Sequence, residues 1–153
     1  MNNDFTGGSH EKIVFGVDCF FGFAGIPLGA LAGDFDGSKP LLCAVKKAFE
    51  CTAADGCQER TVESVNIPQF LQIDVEQKKI TAHDGRGKGR NTEIERIEHI
   101  DGKLMIQGAE DGVENVRDGL SWSLSVSEET GRMTLTASGD ELGFVVFGAC
   151  TTY

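Results

Sequence analysis

The chain predicts an all-β fold, an antiparallel meander of about seven strands closing into a barrel or a strongly curled sheet stapled by disulfides. Three observations lead there. In the 153-residue chain, most of the sequence after the N-terminal stretch alternates apolar and polar side chains, interrupted by turn signals about every eight to twelve positions. The last such segment, LGFVVFGAC at 142–150, is apolar on both faces, as expected of a strand covered on both sides that is central or closes a barrel. Two cysteines, Cys43 and Cys150, fall in the first and last segments, which become neighbours when a meander closes.

In chain order, Pro40 opens a strand through LLCAVKKAF (41–49), and Thr52 to Gly56 form a turn between Cys51 and Cys57. One turn of helix fits Thr61 to Asn66, with Pro68 to stop it. In FLQIDV (70–75), Leu71, Ile73 and Val75 share one face and Gln72 and Asp74 the other. Glu76 to Lys78 turn the chain into a short strand from Lys79 to Ala82. DGRGKGRN (84–91) has no apolar residue and is a loop. Residues 93–100 are ambiguous, because Ile94, Ile97 and Ile100 recur every third position as on a helix face; strand is preferred. Asp101-Gly102 is a type I′ hairpin turn, followed by a strand from Lys103 to Gln107. Gly108 to Gly119 is a second polar loop. Leu120 to Ser127 and Arg132 to Ser138 then pair through Glu128 to Gly131, with Trp122, Leu124 and Val126 opposed by Met133 and Leu135.

The N-terminus reads as an atypical export signal over 1–32, leaving a single β-domain over 33–153. CFFGFAGIPLGALA (19–32) carries no charge and ends on Ala30-Leu31-Ala32, the small-x-small pattern that precedes cleavage. The segment before it, MNNDFTGGSHEK, lacks the usual basic bias, and Asp18 ahead of Cys19 does not suit a lipoprotein signal. Asp18, Pro27 and the glycines between them argue against a stable membrane span. The expected location is periplasmic or secreted, with no stable membrane span after signal cleavage.

Cys43, Cys51, Cys57 and Cys150 form an even set beyond the signal, suited to two disulfides in an oxidising compartment. Of three pairings, Cys43–Cys150 with Cys51–Cys57 is expected. The first would link the two end strands, and the second would close a tight loop around Asp55-Gly56. A zinc site is disfavoured, because the spacings are not CxxC and no histidine accompanies them. The chain has 14 basic and 24 acidic residues, a net charge of −10, which argues against nucleic acid and against anionic lipid.

No catalytic constellation is visible, so a non-enzymatic role is expected, with no cofactor and no metal. His83-Asp84 could form an acid/base pair but opens a glycine-rich loop without a nucleophile, and His99 has no local partner. Arg86, Lys88 and Arg90, interleaved with glycines, form the one basic cluster and a candidate anion- or partner-binding loop; they match neither phosphate-loop nor dinucleotide spacing. Glu110, Asp111, Glu114 and Asp118 lack the EF-hand order. Ser121, Ser123, Ser125 and Ser127 read as a solvent face, since no GxSxG surrounds them.

KPLLCAVKKAFEC, CQERTVESVNIPQFLQID, GLSWSLSVSEETGRMTLTASGD and GFVVFGAC together resemble a family of small exported proteins of uncharacterised function in Gram-negative bacteria, over residues 39–150. The resemblance implies export, a β-rich domain and disulfides, and no catalytic residues. A looser likeness, at the level of fold alone, is to periplasmic lysozyme inhibitors of the C-type class. The expected function is binding of a protein partner or envelope component through the loops. The alternatives are a barrel carrier of a small apolar ligand, for which ten phenylalanines could supply walls, and an enzyme-inhibitor-like protein.

Overall fold

The turn residues and the alternating segments between them set up ten strands. The computed structural model describes residues 34–83, 89–112, 115 and 118–153, which belong to one compact unit, Leu31–Tyr153. The export-signal reading falls on residues outside these. The strands are β1 (Leu41–Thr52), β2 (Gly56–Arg60), β3 (Phe70–Asp74), β4 (Lys79–His83), β5 (Gly89–Glu93), β6 (Arg96–Ile100), β7 (Lys103–Glu110), β8 (Leu120–Ser127), β9 (Arg132–Ser138) and β10 (Leu142–Thr152).

They form one sheet in the order β5-β4-β3-β1-β10-β9-β8-β7-β6, with β2 paired to β1 off this path. All pairings are antiparallel. The two ends of this order, β5 and β6, are joined by only Ile94 and Glu95. There the Ile94 amide donates to the Lys78 carbonyl (2.9 Å) on the β4 side, and the Glu95 amide to the Gln107 carbonyl (3.0 Å) on the β7 side. The expected segment 93–100 therefore changes partner near its start, between Ile94 and Glu95, and the sheet curls until the chain bridges its ends.

The inner face is filled. Leu41, Ile73, Leu104, Ile106, Leu124 and Val146 are fully buried. On β8 the predicted inward set is borne out: Trp122, Leu124 and Val126 are buried, with Leu124 opposite Leu135 and Val126 opposite Met133. Leu71 and Ile73 are buried on β3 as the alternation predicts. Phe35 packs against this core at one end, its amide donating to the Glu128 carbonyl (3.3 Å), and Val62 and Ile67 pack against it from the 61–67 segment.

Turn chemistry holds the register. Asp101 and Gly102 both have positive φ (51° and 68°), as a type I′ turn requires. Gly108 stands opposite Trp122; a Cβ there would lie 2.5 Å from the indole Cζ2 and 2.8 Å from the Glu93 carbonyl oxygen. The missing side chain lets the indole lie across β7 and lets β5 approach.

Both expected disulfides are present. Cys43 and Cys150 face each other across β1 and β10, with Cα atoms 3.8 Å apart, and Cys51 and Cys57 across β1 and β2, 4.0 Å apart. β1 switches partner along its length. Leu41–Ala44 pair with β3, a bulge follows between Val45 and Lys47, and Ala48–Thr52 pair with β2.

Four expectations need correction. The strands number ten rather than about seven, because β2 is an added exposed spur and Gly89–Glu93, mostly expected as loop, form a strand of their own ahead of Arg96–Ile100. The first polar loop ends earlier, since Gly89–Asn91 already pair with β4, and the second begins later, since β7 runs to Glu110. No helix forms at Thr61–Asn66. Those residues make consecutive turns, ending with Asn66 at φ 53° and the Ile67 amide bonded to the Val62 carbonyl (2.9 Å). β10 is central, between β1 and β9, but only its inner face is covered. Phe147 is 43% exposed, meeting Phe49 edge-to-face at 6.1 Å.

Candidate functional site

Because the sheet runs up and down, every second connection emerges at the same end. β4 leads into the first polar loop and β5 returns from it; β7 leads into the second and β8 returns. The described bases of both loops therefore lie at one end of the curled sheet. A hydrogen bond fastens them together: the Thr92 hydroxyl on β5 donates to a Glu110 carboxylate oxygen on β7, 2.5 Å away. Of the basic cluster, Arg86 and Lys88 lie outside the described residues. Arg90 sits on β5 opposite Ala82 and donates from Nη2 to the Asn66 carbonyl (3.1 Å), which ties the loop base to the 61–67 segment.

The histidines are separate. The His83 ring Nε2 lies 3.4 Å from Gln72 Oε1, and the Gln72 amide reaches the Tyr153 hydroxyl. Asp84, which follows His83, lies outside the described residues. At the other end of the sheet, His99 Nδ1 meets Glu128 Oε1 at 2.7 Å. Asp36 nearby is held below its ordinary pKa by hydrogen bonds from Ser38, and the His99 charge adds to this. Among the described residues, neither histidine pairs with a nucleophile, and no group of three His, Cys, Asp or Glu side chains could hold a metal ion.

A feature that the sequence reading missed lies beside the Asp101-Gly102 and Glu128–Gly131 turns. A polar recess of about 540 Å³ opens there on the outer face of β7, β8 and β9. The register sets Lys103 opposite Ser127, and Met105, Ser125 and Thr134 in the next row. Alternate serines identify the solvent face of β8, but the recess becomes visible only once three strands are in register.

The chain has no helix long and apolar enough to cross a membrane among the described residues. Comparison with family models, with curated proteins and with solved structures finds no match to this chain.

Proposed function

We propose that the protein is a non-enzymatic, exported binding domain that engages a protein partner or envelope component through the loop pair that follows β4 and β7. The observation that carries this reading is the Thr92–Glu110 hydrogen bond, which joins the bases of both polar loops at one end of a cross-linked sheet. Such a scaffold holds the bases of two loops together, and loops carried on a rigid scaffold are where binding residues concentrate. The disulfides are consistent with an oxidising compartment, and with it export. The resemblance of residues 39–150 to small exported proteins points the same way. An enzyme-inhibitor-like role is one form of this activity. The carrier alternative draws no support from an inner face filled by Leu41, Leu104, Ile106 and Leu124.

The test is affinity capture from cell-envelope extract, using the full chain and a variant in which residues 84–88 are replaced by an Asn-Gly turn. His83 and Gly89 are already paired, so a two-residue turn fits the strands. The expected result is a component retained by the parent and lost with the variant, at equal thermal stability. Equal retention by both, or no specific component, contradicts the reading.

A further inference from the structure

The recess beside the Asp101-Gly102 turn lies at the opposite end of the sheet from the described bases of the two loops, and its chemistry is distinctive. Lys103 and Ser127 are directly opposed across β7 and β8, and Arg132, the first residue of β9, continues the row on the far side of Ser127. Neighbouring strands are about 4.8 Å apart, so the backbones that carry the two cations lie about 10 Å from each other on either side of Ser127. Ser125 and Thr134 form a second row of hydroxyls in the same recess. Carboxylates rim the turn side: Asp101, Glu128 and Glu129.

These groups are unequally committed. Lys103 Nζ is bound to Asp101 Oδ2 (3.1 Å), and Glu128 to His99. The Arg132 guanidinium, the Glu129 carboxylate and the Ser125 and Thr134 hydroxyls have no side-chain partner among the described residues. One free cation, Arg132, and one free carboxylate, Glu129, thus stand on the turn side of the recess, with the free hydroxyls of Ser125 and Thr134 in the row beyond. The recess volume is within the range usual for small-molecule sites, about 300–1,000 Å³.

We propose that this recess binds a small zwitterion, a free amino acid or short peptide, with its carboxylate on Arg132 and its ammonium on Glu129. Two cations stand against three carboxylates in the lining, so a simple anion would face the unpaired Glu129, and a simple cation would face Arg132. A ligand carrying both charges satisfies both ends. Arg132 suits the carboxylate because its planar fork can donate two parallel hydrogen bonds. Ser125 and Thr134, in the adjoining row, then supply donors and acceptors to the ligand's remaining polar atoms. No aromatic side chain lines the recess, so nothing there favours a flat apolar ring. The site is independent of the loop pair.

The experiment is titration of the isotopically labelled full chain with dialanine, N-acetyl-dialanine and dialanine amide, following backbone amide signals by NMR. Dialanine is expected to shift Gly102, Ser125, Ser127 and Arg132 while leaving Gln72 and Thr81 unmoved. Blocking either terminus removes one charge-assisted contact, and is expected to weaken binding about tenfold or more. Arg132→Gln is expected to weaken dialanine by a similar factor, and Glu129→Gln likewise. Both side chains are exposed, so the variants keep the parent spectrum elsewhere. Absence of shifts with dialanine at about 50 mM overturns the proposal, since that limit lies weaker than about −2 kcal/mol. Equal binding of the N-acetyl form overturns the zwitterion assignment, as does equal binding of the amide.

Discussion

At the residue scale, Gly108 shows how one missing side chain shapes the molecule. The Trp122 indole and the Glu93 carbonyl both occupy the space a Cβ would need. The Trp122 ring is almost fully buried and its Nε1 has no hydrogen-bond partner, so its placement rests on packing alone. Gly108→Ala forces the ring or β5 to move, and is expected to destabilise the fold by about 1–3 kcal/mol, the usual range for overpacking. Thermal unfolding checks this. An alanine variant as stable as the parent would show that the indole is not locked against β7. The sequence gives no sign of this role, since Gly108 stands where a polar loop was expected, and only its pairing with Trp122 makes it a packing residue.

At the element scale, β1 bears the most constraint. It pairs with β10 along its length and with β3 and β2 in turn, and each disulfide anchors one end of it. The two bridges differ in environment and reach. Cys43 is fully buried and its bridge spans 107 residues; Cys57 is exposed and its bridge spans 6. In the chain-entropy account the long bridge contributes about 5 kcal/mol and the short one about 2 kcal/mol. Cys43→Ser with Cys150→Ser is therefore expected to lower stability more than Cys51→Ser with Cys57→Ser, as read from denaturant unfolding. Equal losses would mean that the long bridge does not restrain the unfolded chain. Mild reductant is expected to open Cys51–Cys57 first.

The hairpins of β7, β8 and β9 were legible because burial and turn chemistry agree there. Trp122, Leu124 and Val126 alternate, and Asp101-Gly102 suits a type I′ turn. β2 was not legible. All five of its residues are exposed, so no apolar alternation marks it, and pairing with β1 alone makes it a strand. β5 was hidden for the same reason, its glycine and polar residues being ordered by the β4 ladder. The double-sided apolar pattern of β10 signalled its central position correctly, but Phe147 and Phe49 cover one another in place of a second layer. The loop bases were legible as polar segments; that Thr92 and Glu110 bring them together was not, since that depends on the curl of the whole sheet.

At the scale of the whole molecule, the sheet order and the cysteines converge on one architecture. A meander whose end segments are joined by Ile94 and Glu95 brings β1 beside β10, and Cys43 and Cys150 then meet face to face. The same closure places the bases of the polar loops at one end and the Lys103–Ser127–Arg132 row at the other, so both proposed binding regions depend on it. Disulfide mapping by mass spectrometry of unreduced, proteolysed protein, prepared from an oxidising compartment, tests this closure most directly. The account predicts one peptide pair joining Cys43 to Cys150 and another joining Cys51 to Cys57. A Cys43–Cys51 or Cys57–Cys150 linkage, or four free thiols, would contradict it.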